Sequence, residues 1–255
     1  FCSAGPLWKG PASRIPASRS GASSMDSSGI DKQHRTSHLF DQETKISTVT
    51  GVILAGGNSS RMKSNKALLP YRGELFIERI HRKLSGIFRD VLLVTNTPES
   101  YRFLRCPTVP DVYPAMGSLA GIHAGLSSCK TPYVFVTACD IPHLNTSLIR
   151  RLVGGINCQD VIIPGSDGGL EPLHAVYGKG ALPIMENALS RGNRKIVECC
   201  AKLNATVISK EEVALFDPDF LSFANINTPE DYYRFREEIV IGREDTLSIQ
   251  GGMPK

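Results

Sequence analysis

From Thr48 onward the chain alternates short apolar runs with stretches of helical spacing. That alternation admits few folds. Strands that read as continuous apolar runs are buried on both faces, which a parallel sheet covered by helices provides. Val49–Ala55 is the first such run, followed by Asp90–Thr95, Pro132–Cys139, Val161–Ile163, Pro172–Tyr177 and Ala205–Ile208. Between them, Glu74–Ser85 places Leu75, Ile77, Ile80 and Leu84 at helical spacing. Ser118–Ser128, Ala181–Leu189 and Lys195–Lys202 also read as helices, and Asn145 is a cap for a helix over Thr146–Val153. A Thr-Pro-Glu-Asp start opens a last helix over Pro229–Glu238. The expected class is α/β: a Rossmann-like, mostly parallel sheet with helices on both faces.

A length of 255 residues fits one large domain or two small ones. The expected division is a tail or linker over 1–48, a folded domain over 49–245 and a frayed end over 246–255. Ser3–Ser24 is rich in Ser, Ala, Gly and Pro and has no apolar face, and residues 26–48 are polar, mixed in charge and linker-like. It reads as an upstream extension, a transit-type peptide or a flexible tail, with Met25 a candidate initiator. A net charge of +4 with no Lys/Arg block does not point to nucleic acid. No apolar run is long enough for a membrane span. The seven cysteines include no Cys-x-x-Cys pair, so they read as reduced thiols of a cytoplasmic protein.

The chemistry begins where the first strand breaks. Leu54-Ala55 runs into Gly56-Gly57, and Arg61, Lys63 and Lys66 follow. Glycines at a strand exit expose backbone N–H groups that bind anions, and the basic residues add fixed positive charge. The pattern describes a polyphosphate pocket, although an ordinary βα turn with solvated basic residues is the competing reading. Neither the Walker A spacing nor the dinucleotide glycine fingerprint is present.

In an open parallel sheet, ligands bind beyond the carboxyl ends of the strands. Those ends carry Gly56-Gly57, Asn96, Asp111 and Asp140, with Gly117 before the next helix. Asp140 follows an apolar run and precedes Ile141-Pro142. A carboxylate there suits Mg²⁺, a hard cation that takes one or two carboxylates plus phosphate oxygens. The competing reading is a helix cap or an Asp-x-Pro turn residue. Asn96 and Asp111 are base or ribose contacts, or loop residues. His81, His123, His143 and His174 are scattered singly, none with a partner at metal-ligand spacing.

These segments resemble the MobA-like nucleotidyltransferases, and most closely the molybdenum cofactor guanylyltransferases among them. The resemblance runs from Val49 to Phe235. It rests on Leu54-Ala55-Gly56-Gly57 with Arg61-Met62 and Lys66, on Asp111 with Gly117–Ile122, and on Cys139-Asp140-Ile141-Pro142. Glu171–Tyr177 and Phe223–Asp231 complete it. The chain departs from the family pattern at Lys63, where Gly is usual, at Asn65, where Asp is common, and at Ser118, where Pro is usual. Serine at a helix start is expected to serve as a cap.

The resemblance implies a nucleotide-diphospho-sugar transferase type of fold. It implies transfer of GMP from GTP to the phosphate of a molybdopterin-type acceptor, with release of pyrophosphate. Gly56, Gly57 and Arg61 would hold the triphosphate, and Lys66 would neutralise charge at the α-phosphate. Asp140 would hold Mg²⁺, with Asn225 or Asn227 a further ligand or an acceptor contact. Leu54, Ala55, Asn96, Asp111 and Gly117 would line the nucleotide. Gly56-Gly57 favours guanine, since related cytidylyltransferases tend to carry Ala-Ala-Gly there. Transient contact with other molybdenum cofactor proteins is also implied. The alternatives are a cytidylyl- or sugar-phosphate transferase of the same fold, and a non-catalytic nucleotide-binding regulator.

Overall fold

The computed structural model describes residues 44–56 and 65–235. The expected tail before Thr44, the loop residues Gly57, Arg61 and Lys63, and the chain past Phe235 lie outside the described residues. The paired chain starts earlier than Val49: Ile46 bridges Phe88 and donates its N–H to the Ile87 carbonyl at 2.9 Å.

All residues of β1 (Val49–Leu54) are buried, as an apolar run in mid-sheet requires. It pairs in parallel with β4 (Val91–Val94) on one side and β6 (Tyr133–Ala138) on the other. A two-residue β5 (Thr108–Val109) pairs in parallel with β4. On the far side stand β7 (Val161–Ser166), β9 (His174–Gly178) and β10 (Ala205–Ile208). The order across the sheet is β10-β7-β9-β6-β1-β4-β5.

The sheet is mostly parallel, as expected, and one strand along its main path runs the other way. β9 runs antiparallel to both β6 and β7. After β7 the chain turns back through a tight hairpin with β8 (Gly169–Leu170) and enters β9 directly. A parallel return needs a crossover of a dozen or more residues, and this segment has no room for one. The expected strand over Pro172–Tyr177 therefore starts later, at His174, because Glu171–Leu173 makes the turn.

Successive strand residues point to opposite faces, and both faces are covered. On one face, Ile53, Leu93 and Phe135 pack against α1 (Phe76–Ile87), α3 (Thr146–Gly154) and α6 (Lys210–Ala214). On the other, Val52, Val94 and Val136 pack against α2 (Ser118–Ser128), α4 (Leu182–Ser190) and α5 (Ile196–Cys200). Asn145 caps α3 as expected, accepting the Leu148 N–H at 3.0 Å. The helix expected from Glu74 instead begins at Phe76. Glu74–Leu75 forms β3, which pairs with β2 (Pro70–Tyr71) across Arg72-Gly73, both at positive φ.

Gly125 lets α2 lie close to the sheet: a Cβ there would stand 2.7 Å from Val52 Cγ1. Gly125→Ala is expected to destabilise the fold by about 1–2 kcal/mol, since overpacking exceeds the gain in helix propensity. Gly86, in α1, has nothing within 4 Å of its would-be Cβ. Gly86→Ala is expected to stabilise by about 0.5 kcal/mol. Urea unfolding of the two variants should move the midpoint in opposite directions.

Candidate functional site

Because β1, β4, β5 and β6 run parallel, their carboxyl ends share one rim. Ala55 N–H donates to the Val94 carbonyl, Thr95 N–H to Val109 and Cys139 N–H to Leu54, at 2.9, 2.9 and 3.0 Å. These bonds carry the strand ladder one residue past each strand. They place Ala55-Gly56, Asn96, Asp111 and Asp140 at neighbouring exits.

Asn96 and Asp111 form one unit. Asn96 Oδ1 accepts the Asp111 N–H at 2.9 Å, and Asn96 Nδ2 donates to Asp111 Oδ2 at 3.4 Å. The other carboxylate oxygen, Asp111 Oδ1, is buried and has no partner among the described residues. Burial pushes this carboxyl above the usual range, while the bond from Asn96 opposes the shift. A buried acceptor left open at a ligand rim is a place for a donor from outside the protein. Gly121 faces the same oxygen: a Cβ there would stand 3.7 Å from it and 3.2 Å from Leu54.

Gly117 has φ 71° and ψ −157°, a conformation essentially restricted to glycine. It turns the chain from the Asp111 loop into α2. Gly117 is the residue preceding the helix, so Ser118 is its first residue, and no side-chain cap bond forms. The expected serine cap is therefore absent: only the position before the first helical residue aims a hydroxyl at the free N–H groups.

The charged half of the rim centres on Lys66. A single 3₁₀ turn, Lys66–Leu68, presents it. Asn65 caps that turn by accepting the Ala67 N–H at 3.1 Å. Lys66 Nζ lies 3.5 Å from Asp140 Oδ2 and 2.6 Å from Asn227 Oδ1. The two side chains that face each other are 14% and 22% exposed for Lys66 and Asp140, within reach of solvent but not fully wet. Asp140 does not cap a helix, since Asn145 does that work. Its backbone carbonyl accepts the Ile226 N–H at 3.0 Å, which draws the Asn227 segment to the strand exit.

Asn227 is itself fixed. Its N–H and that of Thr228 both donate to Asp231 Oδ2 at 2.9 Å, and Asp231 N–H returns to Thr228 Oγ1 at 3.1 Å. This reciprocal capping box opens a last helix, described as far as Phe235. Those backbone N–H donors hold the Asp231 carboxyl below its usual range. Of the two asparagines read as candidates, Asn227 is the one bonded to Lys66.

The Asp140 carboxylate and the Asn227 amide oxygen thus converge on one cation, the Lys66 ammonium. Hard oxygen donors of this kind fit Mg²⁺, which takes few protein ligands and completes its shell with phosphate and water. Among the described residues, no group of three His, Cys, Asp or Glu side chains could hold a metal by itself.

Three residues at the site carry no local signal in the sequence. Tyr101 Oη accepts from Asn65 Nδ2 at 2.8 Å, and Tyr232 Oη donates to the Pro70 carbonyl at 2.6 Å. Arg194 Nη1 approaches the Ala115 carbonyl at 3.5 Å, bringing a guanidinium to the loop before Gly117. Nothing in their immediate neighbours announces these long-range partners.

The sequence profile of the MobA-like NTP transferase domain matches residues 51–207. The molybdenum cofactor guanylyltransferase of Desulfosudis oleivorans is 38% identical over 200 residues, 78% of this chain and 99% of the relative. A probable molybdenum cofactor guanylyltransferase of Carboxydothermus hydrogenoformans is 38% identical over 189 residues, 73% and 94% of the two chains. Among solved structures, molybdopterin-guanine dinucleotide biosynthesis protein A from Archaeoglobus fulgidus superposes with a TM-score of 0.67 at 29% identity. That match covers 75% of this chain and 99% of the other.

Proposed function

The chain belongs to the MobA-like NTP transferase family, and from that premise we propose that it moves GMP from GTP to the phosphate of a molybdopterin-type acceptor. The names of its relatives support the reaction. The observation that carries the site is the convergence of Lys66, Asp140 and Asn227 beside the β1 exit.

In this reading an oxygen of the acceptor phosphate attacks the α-phosphorus of GTP in line. The bond to the β-phosphate oxygen breaks, and pyrophosphate leaves with that electron pair. Such a step asks for positioning and charge neutralisation rather than a covalent intermediate. Gly56, Gly57 and Arg61 hold the triphosphate. The Lys66 ammonium faces the α-phosphate and the leaving group. Asp140, with Asn227, would hold Mg²⁺, which when bound would further neutralise the phosphate charge. Asn96 and Asp111 take the base side, with Leu54, Ala55 and Gly117 lining the nucleotide. The open Asp111 Oδ1 suits a guanine edge, whose amino group is a donor. Six cysteines among the described residues are free thiols, which supports a reducing, cytoplasmic setting. No helix among the described residues is long and apolar enough to cross a membrane.

The test is pyrophosphate release with a molybdopterin acceptor and each of GTP, CTP, ATP and UTP, with and without Mg²⁺. GTP is expected to exceed CTP by about tenfold or more in kcat/KM, because a site that hydrogen-bonds one base edge leaves buried polar groups unpaired when the edge is mismatched. Equal turnover with CTP would remove the guanylyl assignment. Binding without any pyrophosphate release would favour a regulator.

A further inference from the structure

The Lys66 turn is held at both ends by hydroxyls from distant parts of the chain. On its leading side Tyr101, 3% exposed, lies in the short 3₁₀ segment Pro98–Leu104 that follows β4. Its hydroxyl takes the Asn65 Nδ2–H at 2.8 Å. Asn65 in turn accepts the Ala67 N–H on its side chain and the Leu68 N–H on its backbone carbonyl, at 3.1 and 3.0 Å. On the trailing side the Tyr232 hydroxyl donates to the Pro70 carbonyl at 2.6 Å. The Tyr232 ring stands against Phe76 at 6.0 Å, inside a cluster with Tyr71, Ile226 and Phe235.

The same helix start that supplies Tyr232 also fixes Asn227, whose side chain takes the Lys66 ammonium. A lysine ammonium rides on a flexible four-carbon stem. Where it comes to rest depends on where its backbone is held, and here the backbone is held on both flanks of one short turn.

We propose that Tyr101 and Tyr232 are positioning residues that clamp the Lys66 turn, so that the ammonium meets the reacting phosphate in register with Asp140. The clamp rests on the role given to Lys66 above. Neither tyrosine touches substrate; each acts through the turn. Asn65 is well suited to its place because its amide both donates to Tyr101 and accepts from Ala67. An aspartate there could accept from both groups, with the tyrosine hydroxyl turned to donate.

The test combines kinetics with amide hydrogen exchange on the full chain. Tyr101→Phe and Tyr232→Phe are each expected to lower kcat about tenfold while KM for GTP stays within about twofold, as for a misplaced group that acts in the transition state. Melting temperatures should stay close to the parent. Exchange at Ala67 and Leu68 should speed up in Tyr101→Phe. Asn65→Asp should keep most of the activity when Tyr101 is present and lose it when combined with Tyr101→Phe. Unchanged kcat and unchanged exchange in both tyrosine variants would overturn the clamp, as would an activity loss that only follows a fall in melting temperature. If the parent releases no pyrophosphate from GTP yet Ala67 exchange still responds, the guanylyl reading fails and the clamp stands. If the parent turns over GTP and the variants do so equally well, the clamp alone fails.

Discussion

Asp140→Asn is expected to cut pyrophosphate release by about a hundredfold or more at saturating GTP and Mg²⁺, the scale lost with one preorganised electrostatic group. The substitution keeps the size and shape of the side chain and removes the charge. Folding should be nearly unaffected, because the carboxylate is 22% exposed and its ion pair with Lys66 spans 3.5 Å. A partly exposed pair at that separation contributes little to stability. Its backbone carbonyl, which holds Ile226, is untouched by the change. Lys66→Ala is expected to lose turnover on the same scale, since it removes the positive charge that Asp140 and Asn227 surround. The double variant should be little worse than either single one, as befits groups that act as a unit. Melting temperatures measured beside the kinetics separate a chemical loss from a structural one. Near-normal turnover in Asp140→Asn would sink the metal assignment, and a loss that tracks melting temperature would make Asp140 a structural residue.

Lys66, Asn96, Asp111 and Asp140 are legible singly in the sequence and their pairing is not. Tyr133–Cys139 reads as a buried strand from its apolar run alone, so its exit residue, Asp140, falls on the rim of strand exits by pattern. Ala205–Ile208 and Ser118–Ser128 have the bounds that pattern alone suggests. The two-residue β5 is too short to leave a periodic signal, yet it positions Asp111 beside Asn96. The reversal of β9 is decided by the length of the turn before it, which is a property of the connection and not of the strand. Lys66 and Asn227 meet across 161 positions of sequence, and no local rule reaches that far. The family resemblance supplies the right segments in the right order, but the reach of Tyr101 to Asn65 and of Tyr232 to Pro70 is a matter of side-chain geometry.

His174→Leu is expected to flatten the acid branch of the stability curve. His174 opens β9, is 1% exposed, and has its ring edge-on to Phe135 and Phe223 at 5.0 and 5.4 Å. Neither ring nitrogen has a hydrogen-bond partner among the described residues. Burial lowers its pKa to about 3, so the folded protein keeps the imidazole neutral. The unfolded chain takes up a proton near the ordinary histidine value of about 6.5. Below that pH the unfolded state therefore binds more protons than the folded one, and stability falls as pH falls toward 3. The slope approaches about 1.4 kcal/mol per pH unit, or about 3 kcal/mol lost between pH 6.5 and 4. His143, lowered to about 4 mainly by burial, acts in the same direction and remains in the variant. Carboxylates common to both proteins cancel in the difference, so urea unfolding of the parent and of His174→Leu from neutral to acid pH isolates the His174 contribution. At neutral pH the variant should be as stable as the parent or more so, because two buried nitrogens without partners are replaced by apolar atoms. His174→Phe gives a second reading with a ring retained between Phe135 and Phe223. Stability curves of parent and variants that run parallel throughout the acid range would show that His174 takes up its proton inside the fold, and that burial does not hold it neutral.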